Sequence, residues 1–255
     1  MKTDFQKTTP EAAGIPSTAV AAFIDRLEDK TLPMHSILVL KGDQIAAEAY
    51  WKPFDESFRH RMYSTSKSFV SVAIGILAGD GKLSLDDRVV DFFPEYKEKC
   101  APVHPYTAMV TVRDLLRMTT CFTASNYPRF DDWTEAFFRI TPGHIPGKSF
   151  RYDTLGTVML CMIVRRVAGV EFVAFLQERL FDPVGMSAGI QCIQSPCGHD
   201  WGGSGVLCTT RDLAKFAYVC MHDGRWHGEQ LIPEAYIRDA TSSQVDNTLS
   251  VCAPE

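Results

Sequence analysis

Ser64-Thr65-Ser66-Lys67 places a hydroxyl and an amine three positions apart, at the head of an apolar stretch running from Phe69 to Leu77. On a helix, positions i and i+3 share one face, with Cβ atoms about 5–6 Å apart. A lysine at that distance can take the proton of a serine hydroxyl, the first requirement for a serine nucleophile. The spacing alone has little specificity, because a chain of this length contains roughly one Ser-x-x-Lys by composition. An ordinary polar first turn is the alternative, so the setting has to decide.

The element that must present the pair is a helix starting at Ser64 and stopping at Gly79-Asp80-Gly81. Before it, two β-type runs at 36–40 and 45–50 flank Lys41-Gly42-Asp43-Gln44 and read as a hairpin. Ser17 reads as an N-cap for a helix carrying Val20, Phe23, Ile24 and Leu27 and ending near Asp29-Lys30. Thr111-Val112-Arg113-Asp114 and Thr209-Thr210-Arg211-Asp212 have capping-box form, each opening a helix. The segment 119–150 is aromatic and rich in Gly and Pro, a loop around a short helix at 133–140. Two amphipathic helices, 155–167 and 170–180, meet at Ala168-Gly169; Trp201-Gly202-Gly203-Ser204-Gly205 is a tight turn. The helix after Thr209 closes at Gly224, and a last one begins at Pro233. Repeats and low-complexity linkers are absent. The expectation is one continuous domain over 1–255, mostly helical, with a loop-rich helical insertion at about 86–200. A two-stranded hairpin makes a poor sheet, however, and after residue 50 only Thr248-Leu249-Ser250-Val251 reads as strand.

The 255 residues, 45% hydrophobic and 22% charged with a formal net charge of −5, describe a soluble globular protein with ample core. Mild acidity and scattered basic residues give no electrostatic reason to expect nucleic acid or an anionic membrane as partner. The start, Met1-Lys2-Thr3-Asp4-Phe5-Gln6, has no apolar core of a signal peptide, and no apolar run approaches the ~20 residues that span a bilayer. Eight cysteines spread through such a chain read as reduced, mostly buried thiols, and the expected location is cytoplasmic.

The block Met62-Tyr63-Ser64-Thr65-Ser66-Lys67-Ser68-Phe69, continuing to Gly79-Asp80-Gly81-Lys82-Leu83-Ser84-Leu85-Asp86-Asp87, resembles the penicillin-recognising serine hydrolases. The branch it is most similar to holds class C β-lactamases, D-alanyl-D-alanine carboxypeptidases, family VIII esterases and 6-aminohexanoate-dimer hydrolases. Thr111 to Leu116 resembles that family's capped helix, although its usual His-Thr-Ser-Gly end reads Met118-Thr119-Thr120-Cys121. Pro146 to Tyr152 resembles the approach to a second motif; Leu180-Phe181-Asp182-Pro183-Val184-Gly185-Met186 and the stretch from Gly202 to Ala214 resemble later signposts. The ordered series covers about residues 10–240 and is far more specific than any one motif.

The resemblance implies an α+β fold of the β-lactamase/transpeptidase type, a helical region plus an antiparallel sheet flanked by helices. It implies acyl transfer through a covalent ester of Ser64, with the helix dipole and a free backbone N–H favouring the oxyanion. Lys67 would be the proton acceptor or would lower the pKa of its partner. In the second motif, Tyr152-Asp153-Thr154, Tyr152 would shuttle the proton, and Thr154 stands where the family usually has an amide that binds substrate. Tyr127 and Trp133 would line the acyl pocket. The third motif, Lys-Thr-Gly or His-x-Gly on an edge strand, has no convincing match. His222-Asp223-Gly224 fits as text, but it stands at a helix end, where glycine is the ordinary stop signal. Sheet arithmetic and motif order together lead to the expectation of a C-terminally incomplete domain, unless a separate chain or a dimer mate completes the sheet.

Other chemistries fit poorly. Cys192, Cys197, His199 and Cys208 match no Cys-x-x-Cys spacing, no His has a His-Glu-x-x-His partner, and no Gly-x-Ser-x-Gly elbow occurs. No metal or other cofactor is expected. The sequence reads as a serine hydrolase using Ser64, Lys67 and Tyr152 on a small ester or amide, the ester being favoured by its better leaving group. The rival is a catalytically impaired protein that keeps the fold as a binding or structural module, favoured by Thr154 and the absent third motif.

Overall fold

In the computed structural model, which describes residues 4–120, 122 and 127–246, the expected hairpin forms but does not stand alone. Strand β1 (Gln6–Lys7) precedes helix α1 (Ser17–Asp29), and strands β2 (Ser36–Lys41) and β3 (Gln44–Tyr50) follow. β3 is central, pairing antiparallel with β2 and parallel with β1. The tight connection between β2 and β3 needs Gly42 at φ +59°, a conformation costly for any side chain with a Cβ. Ser17 is the first residue of α1, not its cap: Pro16 holds the cap position, and the Ser17 N–H is taken by the Glu11 carboxylate at 2.9 Å.

Strand β4 (His60–Arg61) leads through a 3₁₀ turn at Tyr63–Thr65 into α2 (Ser66–Gly79). Helices α3 (Pro94–Lys99), α4 (Pro105–Met109), α5 (Val112–Arg117), α6 (Trp133–Arg139), α7 (Thr154–Ala168), α8 (Phe172–Leu176) and α9 (Asp182–Val184) follow. The chain ends through β5 (Gln191–Cys192), β6 (Val206–Cys208), α10 (Thr210–Met221), β7 (Arg225–Trp226), β8 (Glu229–Gln230) and α11 (Glu234–Ala240). Both capping boxes form as expected, with Thr111 and Asp114 on α5 and Thr209 and Asp212 on α10 bonding reciprocally.

Three readings are corrected. Strands do exist after residue 50: β4, β6 and β5 form a second sheet, and β7 pairs with β8. Runs of two or three residues are too short to show an alternating pattern. Residues 170–180 are not one helix. Pro183 has no N–H to return to the preceding turn, and the chain widens into a π-turn at Gln177–Phe181 between α8 and α9. Pro233 caps the last helix and does not begin it. The strand expected at 248–251 lies outside the described residues.

The core forms where α2 meets α7. α2 buries Phe69, Val70, Ala73 and Ile74 completely, and α7 buries every residue from 155 to 164. A helix apolar all round belongs inside a protein, and α2 is such a helix. Phe69 stacks on Phe216 of α10 at 3.9 Å and meets Phe181 edge-on at 6.0 Å. The six described cysteines are free thiols. No helix among the described residues is long and apolar enough to cross a membrane.

The first sheet is fastened to α10 by a two-pronged ion pair. Glu48 of β3 accepts from Arg211 Nε and Nη2, both at 2.7 Å. The Arg211 guanidinium holds the Glu48 carboxyl at about 2, outweighing burial, which pushes it up. A carboxyl depressed on folding contributes stability that is full above its unfolded value, about 4.3. That stability is lost as the pH falls from there towards about 2. Glu48→Gln is therefore expected to cost on the order of 2 kcal/mol in urea unfolding at pH 7. The two proteins should converge as the pH approaches about 2; a gap that persists there would assign the loss to packing.

Candidate active site

The residues around Ser64 are placed by backbone pairing with a distant segment. β4 lies antiparallel to β6, and the Met62 N–H donates to Val206 O at 2.8 Å. Tyr63 then turns the chain with φ +46°, a left-handed conformation that is rare outside glycine. Two residues after the nucleophile candidate, the buried Ser66 Oγ accepts from the Val206 N–H at 3.1 Å. These bonds lock the start of α2 against β6 and point Ser64 out of the turn.

Lys67 lies one turn further along. Its ammonium donates to Ser64 Oγ at 3.2 Å and to the Gly203 carbonyl at 2.6 Å. Tyr152 joins the pair: Lys67 Nζ lies 5.1 Å from its ring centroid, and Ser64 and Lys67 are the neighbours that act on its hydroxyl. Burial pushes the Tyr152 phenol up, but the bonds from Ser64 and Lys67 and the ammonium charge outweigh it, so the phenol lies below its ordinary value. Asp153 explains why Tyr152 stays outside α7. Its carboxylate accepts from Leu155 N at 3.0 Å and Gly156 N at 3.1 Å, closing the helix start. The preceding loop is held by Arg151 N donating to Met118 O at 2.9 Å and Gly147 N to Thr119 O at 2.8 Å.

The 201–205 turn forms a third side of the site. A Cβ on Gly203 would lie 2.6 Å from Thr154 Cγ2 and 3.1 Å from Trp201 Nε1, so only glycine lets the Gly203 carbonyl reach Lys67. Thr154 thus borders the site through its methyl group. Trp133 stands behind the turn, edge-on to Trp201 at 5.6 Å. Tyr127 belongs to a short 3₁₀ turn at Tyr127–Arg129, and its side chain lies outside the described residues. Among the sequence candidates, then, Ser64, Lys67 and Tyr152 converge, Thr154 flanks them, and Trp133 is one ring removed.

Sequence reasoning missed the Gly203 carbonyl and Arg61, whose guanidinium bonds the same turn. The doubled glycine after Trp201 was the available signal, but a backbone carbonyl leaves no mark on residue type. The cysteine and histidine group around 192–208 is engaged elsewhere: His199 pairs with Glu171 at 3.0 Å, and Cys197 donates to Asp131 O at 3.2 Å. Among the described residues no three His, Cys, Asp or Glu side chains converge as a metal site requires. His222 stacks on Tyr218 at 3.8 Å and bonds its carbonyl, as a residue closing a helix does.

Comparison with known proteins gives a consistent result. The beta-lactamase family model matches residues 20–249. A 6-aminohexanoate-dimer hydrolase of Paenarthrobacter ureafaciens is 23% identical over 220 residues, covering 79% of this chain and 55% of that protein. The octameric penicillin-binding protein homologue of Pyrococcus abyssi superposes with TM-score 0.70 at 19% identity, over 91% of this chain and 61% of that one. For D-alanine carboxypeptidase AmpC of Burkholderia cenocepacia the TM-score is 0.65 at 18% identity, over 87% and 67%. At such identities these likenesses establish the fold, which is β-lactamase/transpeptidase-like. The chain spans little more than half the length of the 6-aminohexanoate-dimer hydrolase it matches.

Proposed function

The chain belongs to the beta-lactamase family, and on that premise we propose that it is a serine hydrolase that forms a covalent ester between Ser64 and the acyl group of a small ester or amide. The observation that carries this reading is the double engagement of Lys67, which bonds Ser64 Oγ and Gly203 O while lying 5.1 Å from the Tyr152 ring centroid. A lysine held by a carbonyl cannot wander from its serine, and a phenol lowered by that lysine is more readily present as the phenolate that accepts a proton.

The reaction follows from these placements. The Tyr152 phenolate, supported by the Lys67 ammonium, takes the Ser64 proton as Oγ attacks the substrate carbonyl carbon. The Ser64 backbone N–H, at the head of the turn entering α2, faces the developing oxyanion. As the intermediate collapses, the tyrosine returns its proton to the departing alcohol or amine. Water then repeats the cycle on the acyl ester, giving up its proton to the same group and releasing the acid. An ester demands less of this machinery than an amide, because an alcohol leaves more readily than an amine. Relatives named as a 6-aminohexanoate-dimer hydrolase and a D-alanine carboxypeptidase support the hydrolase reading.

A fluorophosphonate probe tests the proposal. Purified protein is expected to gain one covalent adduct by mass spectrometry, at Ser64, and Ser64→Ala none. Folded wild-type protein that takes no label would favour a non-catalytic binding module instead.

A further inference from the structure

Arg61 is a cation close to the nucleophile. It stands three residues before Ser64, at the end of β4, and among the described residues its guanidinium bonds a backbone carbonyl and a hydroxyl and no carboxylate. Its Nε donates to Ser204 O at 3.0 Å and its Nη2 to Ser204 Oγ at 3.3 Å. Its guanidinium carbon lies 4.6 Å from the Tyr63 ring centroid and 5.2 Å from that of Trp201. The group is thus held by two rings and directed at one residue of the 201–205 turn. The neighbouring carbonyl of that turn, Gly203 O, is the one that holds Lys67.

We propose that Arg61 is a positioning residue for the Ser64–Lys67 pair, clamping the 201–205 turn so that the Gly203 carbonyl stays where the Lys67 ammonium meets it. The proposal rests on the reading of Ser64 and Lys67 as the acylating pair. The turn is anchored at both ends. At one end Trp201 N donates to Ile193 O at 2.8 Å; at the other, Val206 N donates to Ser66 Oγ at 3.1 Å and Val206 O accepts from Met62 N at 2.8 Å. Within it, Ser204 N and Gly205 N both return to Trp201 O, at 3.1 and 2.8 Å. The Ser204 and Gly205 N–H groups lie in the same planar amides as the Gly203 and Ser204 carbonyls, so both amides hang on Trp201 O at one end. Two cations hold their other ends, Lys67 on Gly203 O and Arg61 on Ser204 O. The two amides meet at the Ser204 Cα, so releasing Ser204 O loosens the support on which the Gly203 carbonyl also depends. Lysine could replace only part of this function, because the forked guanidinium reaches carbonyl and hydroxyl together and lies flat on the two rings.

The test compares wild type, Arg61→Lys and Arg61→Met in fluorophosphonate labelling across pH, with melting temperature as the control for folding. Arg61→Met is expected to lose at least about tenfold in the maximal labelling rate per folded molecule, with the half-saturating probe concentration nearly unchanged. The acidic limb of its pH–rate profile should move to higher pH, because Tyr152 would lose the nearby Lys67 charge that lowers its phenol. Arg61→Lys should fall between the two. Wild-type rate and profile in folded Arg61→Met, or a loss equal to the unfolded fraction alone, would overturn the proposal. A crystal structure of Arg61→Met, or of Arg61→Lys if the first does not fold, reads the same point without activity. Gly203 O must lie beyond about 3.5 Å of Lys67 Nζ in Arg61→Met, and an intact contact refutes the clamp. An unlabelled wild type with a displaced carbonyl in the variant would defeat the hydrolase reading and leave the clamp standing.

Discussion

Lys67→Met is expected to leave a folded protein whose Ser64 is acylated roughly 10³-fold more slowly by the phosphonate probe. Methionine keeps the length and stem of the side chain, and the lost group is the ammonium that bonds Ser64 Oγ and Gly203 O. Leaving the Gly203 carbonyl without that donor costs about 1–2 kcal/mol, which a domain of this size tolerates. The kinetic loss should greatly exceed the loss of stability, and this contrast separates a chemical role from a structural one. Tyr152→Phe provides the second arm. The phenol is lowered by its bonds to Ser64 and Lys67, so the rate should rise with pH through a value below the usual phenol range near about 10. In Lys67→Met that limb should move upward, since the cation favouring the phenolate is gone; in Tyr152→Phe it should disappear. Unchanged limbs in both variants would remove Tyr152 from the proton path.

Gly202→Ala is expected to lower stability by about 2–3 kcal/mol, more than a substitution of one methyl group ordinarily does. A Cβ at Gly202 would lie 2.3 Å from Cys161 Sγ on α7, 2.4 Å from Val70 Cγ2 on α2 and 3.1 Å from Phe172 Cε1 on α8. Cys161 and Val70 are buried in the two helices that form the core, so neither can withdraw without opening it. The neighbouring residue carries the Lys67 acceptor, so the displacement should also reach the site and slow labelling. Combining Gly202→Ala with Cys161→Ala removes the shortest contact, and the double variant should be more stable than the sum of the single losses implies. Additive losses in thermal unfolding would show that the overlap with Cys161 is not the cause.

What could be read from the sequence is what local chemistry determines. The helix carrying Ser64 and Lys67, the boxes at Thr111 and Thr209, the hairpin around Gly42 and the Tyr152 approach all depend on residues within one or two turns of each other. The turn at Gly202-Gly203 could be recognised as a turn, but its use could not. Lys67 and Gly203 are 136 positions apart, and the acceptor is a carbonyl that every residue possesses. Arg61 escaped for a related reason: its partner, Ser204, is 143 positions away, and β4 is two residues long. The helix at 170–180 failed at Pro183, where a hydropathy pattern continues although the hydrogen-bond ladder cannot.

The two-residue strand β4 also has a consequence for how reactivity arises as the chain folds. Ser64 and Lys67 come together as soon as one stretch of helix winds, an event of local contacts and little loop-closure entropy. The turn whose carbonyl holds Lys67 leads into β6, and β6 is paired with β4 across more than 140 residues of sequence, a contact of high loop-closure cost. A chain with all its helices but without that pairing would carry the hydroxyl and the amine without the group that holds them in register. On the proposed reading of Ser64, reactivity would therefore belong to the completed tertiary structure and not to the helix alone.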